Sequence, residues 1–103
     1  MVVLLKPYEF QWDAWNSGKN FKKHSVSDGE CEEAFFDEKR KILRDIIHSG
    51  DEERYILLGK TKKGIVLFIA FTIRKHTIRI ISARPLNHKE SHLYEKKDTP
   101  SKI

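Results

Sequence analysis

Nine consecutive residues, Ile65-Val66-Leu67-Phe68-Ile69-Ala70-Phe71-Thr72-Ile73, are nearly all apolar, in a chain of 103 residues of which 34% are charged. So continuous a run predicts a central strand covered on both faces. Its surroundings agree. Gly59-Lys60-Thr61-Lys62-Lys63-Gly64 before it is a turn with a charged tip, and Arg54 to Leu58 is a preceding strand. Arg74-Lys75-His76 turns the chain into a further strand from Thr77 to Ile81, where β-branched residues dominate. Pro85 ends that strand because it has no N–H for a ladder. Lys41 to Ile47, bounded by His48-Ser49-Gly50-Asp51, is a weaker candidate. These segments form an antiparallel meander, a sheet of about four strands.

Helices bracket the meander. Phe10 and Trp12 flank Gln11 as in a short strand, and Asp13 reads as the N-cap of a helix from Ala14 to Lys23, weakened by Gly18. Lys22, Lys23 and His24 close it, where cations suit the negative end of the helix dipole. Ser27-Asp28-Gly29-Glu30 is a capping box for a second helix, which sets Cys31, Ala34 and Phe35 on one face. Glu30, Glu32 and Glu33 lie in its first turn, so they read as helix-stabilising carboxylates rather than metal ligands or catalysts. After Pro85, Asn87 caps a last short helix, with Glu90 completing the box. Lys96 to Ile103, polar and interrupted by Pro100, is expected to fray. The pattern is α+β, with two N-terminal helices and one C-terminal helix, and residues 1–103 read as one domain.

Charge divides the chain. Residues 1–59 carry a net −3 and residues 60–103 a net +8. A basic half suits a polyanion or an acidic protein partner, though solubility alone would also account for it. No apolar run is long enough for a membrane span. The start, Met1 to Lys6, is too short for a signal peptide. The lone Cys31 excludes an internal disulfide framework and fits the cytoplasm. There is no phosphate loop, dinucleotide fingerprint, paired cysteine or HExxH motif. His88 and His92 share a helical face, but nothing nearby supplies the third ligand a metal site needs. Ser82 has no nucleophile-elbow glycines.

The remaining chemistry is metal-free cleavage of RNA, whose 2′-hydroxyl is a built-in nucleophile. The protein must remove that proton, stabilise charge on the phosphorus centre and protonate the leaving oxygen. Arginine forks suit the charge; His, Glu, Lys or Tyr can handle protons, and aromatic rings can hold an unstacked base. The basic half holds all these residue types.

From Phe10 to Tyr94 the chain resembles the BrnT-type toxins of bacterial type II toxin–antitoxin systems. Phe10-x-Trp12-Asp13 looks like that family's opening, and Asn20 with Lys23-His24-x-Val26-Ser27 resembles its helix-to-helix junction. Glu33-Ala34, Glu53-Arg54 and Gly59 resemble its next landmarks. Arg79-Ile80-Ile81-Ser82-Ala83-Arg84 looks like its most specific segment, and Lys89-Glu90 with Tyr94 resembles its final helix. The chain departs from the pattern where Ser25 replaces the usual Gly, Asp28 an aromatic or aliphatic residue, and Asn16 a frequent Lys. Pro85-Leu86-Asn87-His88 also replaces a segment usually richer in Arg.

The resemblance implies a RelE-like fold and a toxin that arrests translation by cutting RNA. It implies a BrnA-like ribbon-helix-helix antitoxin, operator DNA bound only through that antitoxin, and no cofactor. Arg79 and Arg84 are the first candidates for phosphate contact and transition-state charge. Lys23 and His24 follow, as phosphate contact and proton carrier, with Glu90 beside them. Arg54, Lys89 and Tyr94 are candidates for substrate binding. In a regular strand Arg79 and Arg84 face opposite ways, so they share a site only if a bulge or the strand end turns one round. The rival reading is a non-catalytic subunit acting only through its antitoxin in DNA binding. Trp12, Trp15 and Phe21 fit partner anchors and core residues equally well.

Overall fold

The computed structural model describes residues 8–45, 50 and 52–95. The expected fraying of Lys96 to Ile103, and the part of the weak strand beyond Asp45, lie outside the described residues. The chain forms an α+β fold with a five-stranded mixed sheet, not an antiparallel sheet of about four strands. The meander runs β2 (Lys41–Asp45), β3 (Arg54–Lys60), β4 (Val66–Arg74) and β5 (Thr77–Pro85). The fifth strand, β1 (Glu9–Phe10), adds in parallel to β5, and the order is β1-β5-β4-β3-β2. Two residues are too few to read as a strand from propensity. They pair because burying the rings of Phe10 and Trp12 against the core lays the backbone along β5, where the Gln11 N–H donates to the Ile78 carbonyl at 2.8 Å.

One face of the sheet is covered by α1 (Lys19–His24) and α2 (Asp28–Ala34). Between them lie Val26, Cys31, Ala34 and Phe35 from the helical layer and Leu57, Leu67, Ile69, Phe71, Ile78, Ile80 and Ala83 from the strands, all buried. The phenyl ring of Phe35 is the centre, meeting Phe10 and Phe71 edge-on at 5.2 and 5.1 Å. The capping box on α2 is present as expected, and burial pushes the Cys31 thiol up to about 12. Gly59 lets β3 meet this helix: a Cβ there would lie 2.2 Å from the Ala34 carbonyl oxygen.

The first helix is shorter than the pattern predicts. Gly18, at φ 73°, breaks the helical path, so residues 14–18 form turns and α1 begins only at Lys19. Asp13 is therefore not a helix cap. Its carbonyl accepts the N–H groups of Asn16 and Ser17, and its carboxylate accepts the N–H of Trp15. At the other end Ser25 sits at φ 59°, the left-handed conformation in which a side chain is unfavourable. This is the position where the resembled family carries Gly. Asp28, the other departure, accepts from Ser17 Oγ at 2.6 Å and from the Gly18 N–H at 3.0 Å, tying the first turn to α2.

Register decides what the second face carries. Ser82 lies opposite Ala70, yet Ile80 lies opposite Phe71, so Ile81 is an extra residue in β5. This bulge resets the alternation: Ile78, Ile80 and Ala83 all point to the core, and Arg79, Ser82 and Arg84 all point away from it. Beyond the strand, Asn87 and Glu90 form the expected capping box. The helix it opens begins as a 3-10 turn (His88–Glu90) and continues as the five-residue α3 (Ser91–Glu95).

Candidate active site on the second face of the sheet

Following the register across the strands, the two arginines fall in two rows on this face, with the row of Ser82 and Ala70 between them. One runs Asp45, Arg54, Thr72, Arg79; the other runs Lys41, Leu58, Phe68, Arg84. The rows are four residues of β4 apart, about 13 Å. Both first-choice arginines therefore share a face, as a bulge would require, but their Cα positions belong to separate rows.

Arg84 is held from three sides. Its two terminal nitrogens donate to the two oxygens of Glu90, both at 2.8 Å, and Nη1 reaches the Pro85 carbonyl at 3.2 Å. The guanidinium lies over the Phe68 ring, 4.3 Å from its centroid. This two-pronged bond brings the Glu90 carboxyl down to about 2, despite the opposing effect of its partial burial. Glu90 is thus a carboxylate throughout the neutral range, suited to aiming Arg84. It also accepts the Asn87 N–H at 3.1 Å, so the 3-10 turn fixes its direction. Lys89 precedes it and is exposed.

Arg79 is held by the N-terminal lead-in. Nη1 donates to Asp13 Oδ2 at 2.7 Å and to Gln11 Oε1 at 3.4 Å, and Nη2 to Asp13 Oδ1 at 3.3 Å. The Arg79 hydrogen bonds hold the Asp13 carboxyl below the usual carboxylate range. The alternation of β1 explains the geometry: Phe10 and Trp12 turn to the core, leaving Gln11 and Asp13 facing Arg79.

Two asparagines fasten α1 and its lead-in to β5 where β1 has ended. Asn16 Nδ2 donates to the carbonyls of Gln11 and Ile80, both at 3.0 Å. Asn20 Oδ1 accepts the Ala83 N–H at 2.9 Å. Both side chains are buried and continue the sheet edge with amide groups. Lys23 and His24 follow Asn20 by three and four residues, so they line the same side of α1. That side runs along the Arg84 end of β5. Both are exposed.

Tyr94 faces elsewhere. Its hydroxyl donates to Asp37, its ring lies 5.8 Å from Lys60 Nζ, and burial together with the Asp37 bond pushes it up to about 12. The Asp37 oxygen it bonds also accepts the Lys60 N–H at 2.8 Å. Arg54 stands in the Arg79 row. The structure therefore joins Arg84 and Glu90 at one end of β5, with Lys89 beside Glu90 in the chain, and leaves Arg79 and Arg54 in the other row; α1, which carries the exposed Lys23 and His24, meets β5 through Asn20 at Ala83. Among the described residues no three His, Cys, Asp or Glu side chains gather to hold a metal.

Sequence reading missed Asp13 as the Arg79 partner, Phe68 beneath Arg84, and Asp37 and Lys60 around Tyr94. It noted Asn20 only as part of a motif and Asn16 only as a departure. Their four-residue spacing was a visible signal for a shared polar face. The other four pairings join residues 16 to 66 positions apart and left no local trace.

Two carboxylate-braced guanidinium forks thus share one sheet face, and guanidinium groups of this kind can pair with an oxyanion. The comparison with known families places the chain. Residues 12–90, well over half of the chain, match the family described as the ribonuclease toxin BrnT of type II toxin–antitoxin systems, and the chain belongs to that family. Its members are ribonuclease toxins with an antitoxin partner. No curated relative matches the chain.

Proposed function

We propose that the protein is the toxin of its pair, an endoribonuclease that cuts RNA by attack of the 2′-hydroxyl, needs no metal and arrests translation in the cytoplasm. The observation that carries this reading is the Ile81 bulge, through which Arg79, Ser82 and Arg84 share one face. In the proposed step the 2′-oxygen bonds to phosphorus and the bond to the 5′-oxygen breaks. A base takes the 2′-proton and an acid returns one to the leaving oxygen, giving a 2′,3′-cyclic phosphate and a free 5′-hydroxyl. Arg84 stabilises the charge on the reacting phosphate, with Glu90 aiming its fork. His24 carries a proton and Lys23 contacts phosphate. Arg79, about 13 Å away along the sheet, holds a neighbouring phosphate, with Arg54 in the same row. Lys89 completes the substrate surface, to which Tyr94, bonded to Asp37, does not contribute.

The fold is read as RelE-like, supported by helices on one face of an antiparallel meander and a short C-terminal helix. The partner is a BrnA-like ribbon-helix-helix antitoxin, and operator DNA is bound only through it. The test is cleavage of single-stranded RNA by freshly purified protein in EDTA. We expect cleavage with 2′,3′-cyclic phosphate ends. Activity lost in EDTA and restored by magnesium would overturn the metal-free mechanism.

A further inference from the structure

Trp15 is 82% exposed, while Trp12, three residues earlier, packs against the core and donates from its indole nitrogen to Glu32 at 2.7 Å. An indole so largely exposed forgoes the burial that makes tryptophan worth having in a fold. It is also not left to wander. The Trp15 N–H donates to Asp13 Oδ1 at 2.9 Å, and the same carboxylate oxygen accepts from Arg79 Nη2 at 3.3 Å. One carboxylate therefore fixes both the backbone that carries the ring and the guanidinium on the second face of the sheet.

We propose that Trp15 is a stacking platform for an unpaired RNA base, next to the phosphate held by Arg79. This rests on the ribonuclease reading above and adds to it the residue that grips a base. Single-stranded nucleic acid is gripped by cations on the backbone and by aromatic faces under the bases, and such stacking tolerates any base. Both elements occur here within one hydrogen-bonded corner. Along the chain from Asp13 to Lys19, Trp15 is the one large apolar residue; Trp12 before it packs against the core, and the next exposed ring, Phe21, follows in α1. A protein-interface anchor sits amid other apolar groups that exclude water. A base brings its own flat apolar face and needs only the ring.

The experiment measures binding of single-stranded RNA carrying 2′-O-methyl groups, which lacks the attacking hydroxyl, in EDTA. We expect Trp15→Ala to weaken binding about 10-fold and Trp15→Phe to recover most of the loss. The slope of log K against log salt should stay at the parental value, because the ring touches no phosphate. Arg79→Ala should flatten that slope by somewhat less than about one unit. RNA should quench indole fluorescence in the parent protein and not in Trp15→Ala, where only Trp12 remains. Parental affinity in Trp15→Ala, or undiminished quenching, would overturn the proposal while leaving the ribonuclease reading intact. So would a Trp15→Ala protein that binds RNA normally but loses its antitoxin, since the ring would then belong to a protein interface. A parent protein that binds no RNA would overturn both readings.

Discussion

The two faces of the sheet are built from the same strands by opposite rules. The helix-covered face is a ring-and-aliphatic core with Phe35 at its centre. The second face carries Arg79, Ser82 and Arg84, and its charged groups are braced by carboxylates that come from outside the strand. Packing chiefly holds the first face, helped by the buried Asn16 and Asn20 side chains that tie α1 and its lead-in to β5, so its cost of disruption is stability. Paired charges organise the second at partly exposed positions, where ion pairs contribute little to folding. On the proposed function, stability and catalysis would reside largely on separate faces, and mutations should separate them.

The largest expected effect is on the covered face. Phe35→Ala should destabilise the protein by about 3–5 kcal/mol in denaturant unfolding, because a buried ring packed against the rings of Tyr8, Phe10 and Phe71 leaves a cavity that cannot fully collapse. A loss under about 1 kcal/mol would mean that the core is not organised around this ring.

A smaller effect should come from the C-terminal helix α3. Tyr94 is raised from 10.0 to about 12 by burial and by its bond to Asp37. The folded state keeps this proton where the unfolded chain loses it. The contribution is therefore complete below pH 10 and falls away as pH rises through about 12. Absorbance titration should show a tyrosine ionising late, and Tyr94→Phe should remove that late step. Full ionisation of all tyrosines near the ordinary value would rule out the Tyr94–Asp37 bond.

The smallest effect belongs to the junction between the helices. Ser25→Gly relieves a left-handed residue at the end of α1 and should add about 0.5–1 kcal/mol after the extra flexibility of glycine is set against it. A fall in melting temperature would contradict that conformation.

How much of this was legible in the sequence follows the same division. Features fixed by neighbours were readable: the apolar run of β4, the capping boxes at Ser27 and Asn87, the buried face of α2, and the family resemblance. Features fixed by distant partners were not. Asp13 read as a helix cap because its partner Arg79 lies 66 positions away. β1 was undercounted because its pairing depends on where Phe10 and Trp12 bury their rings. The parity of Arg79 and Arg84 posed the right question, but Ile81 looks like any other strand residue and only the register with β4 reveals the bulge. Trp12 and Trp15 are the same residue type three positions apart, and only the fold separates a core ring from an exposed one.

The most direct test is RNA cleavage by Arg84→Ala, with folding checked by thermal melting. The pair with Glu90 is partly exposed, so its loss should cost no more than about 1 kcal/mol of stability. If Arg84 stabilises the charge that develops on phosphorus, the rate should fall by roughly 100-fold or more. Cleavage at the parental rate by a folded Arg84→Ala protein would contradict the assignment of the second face as the catalytic one.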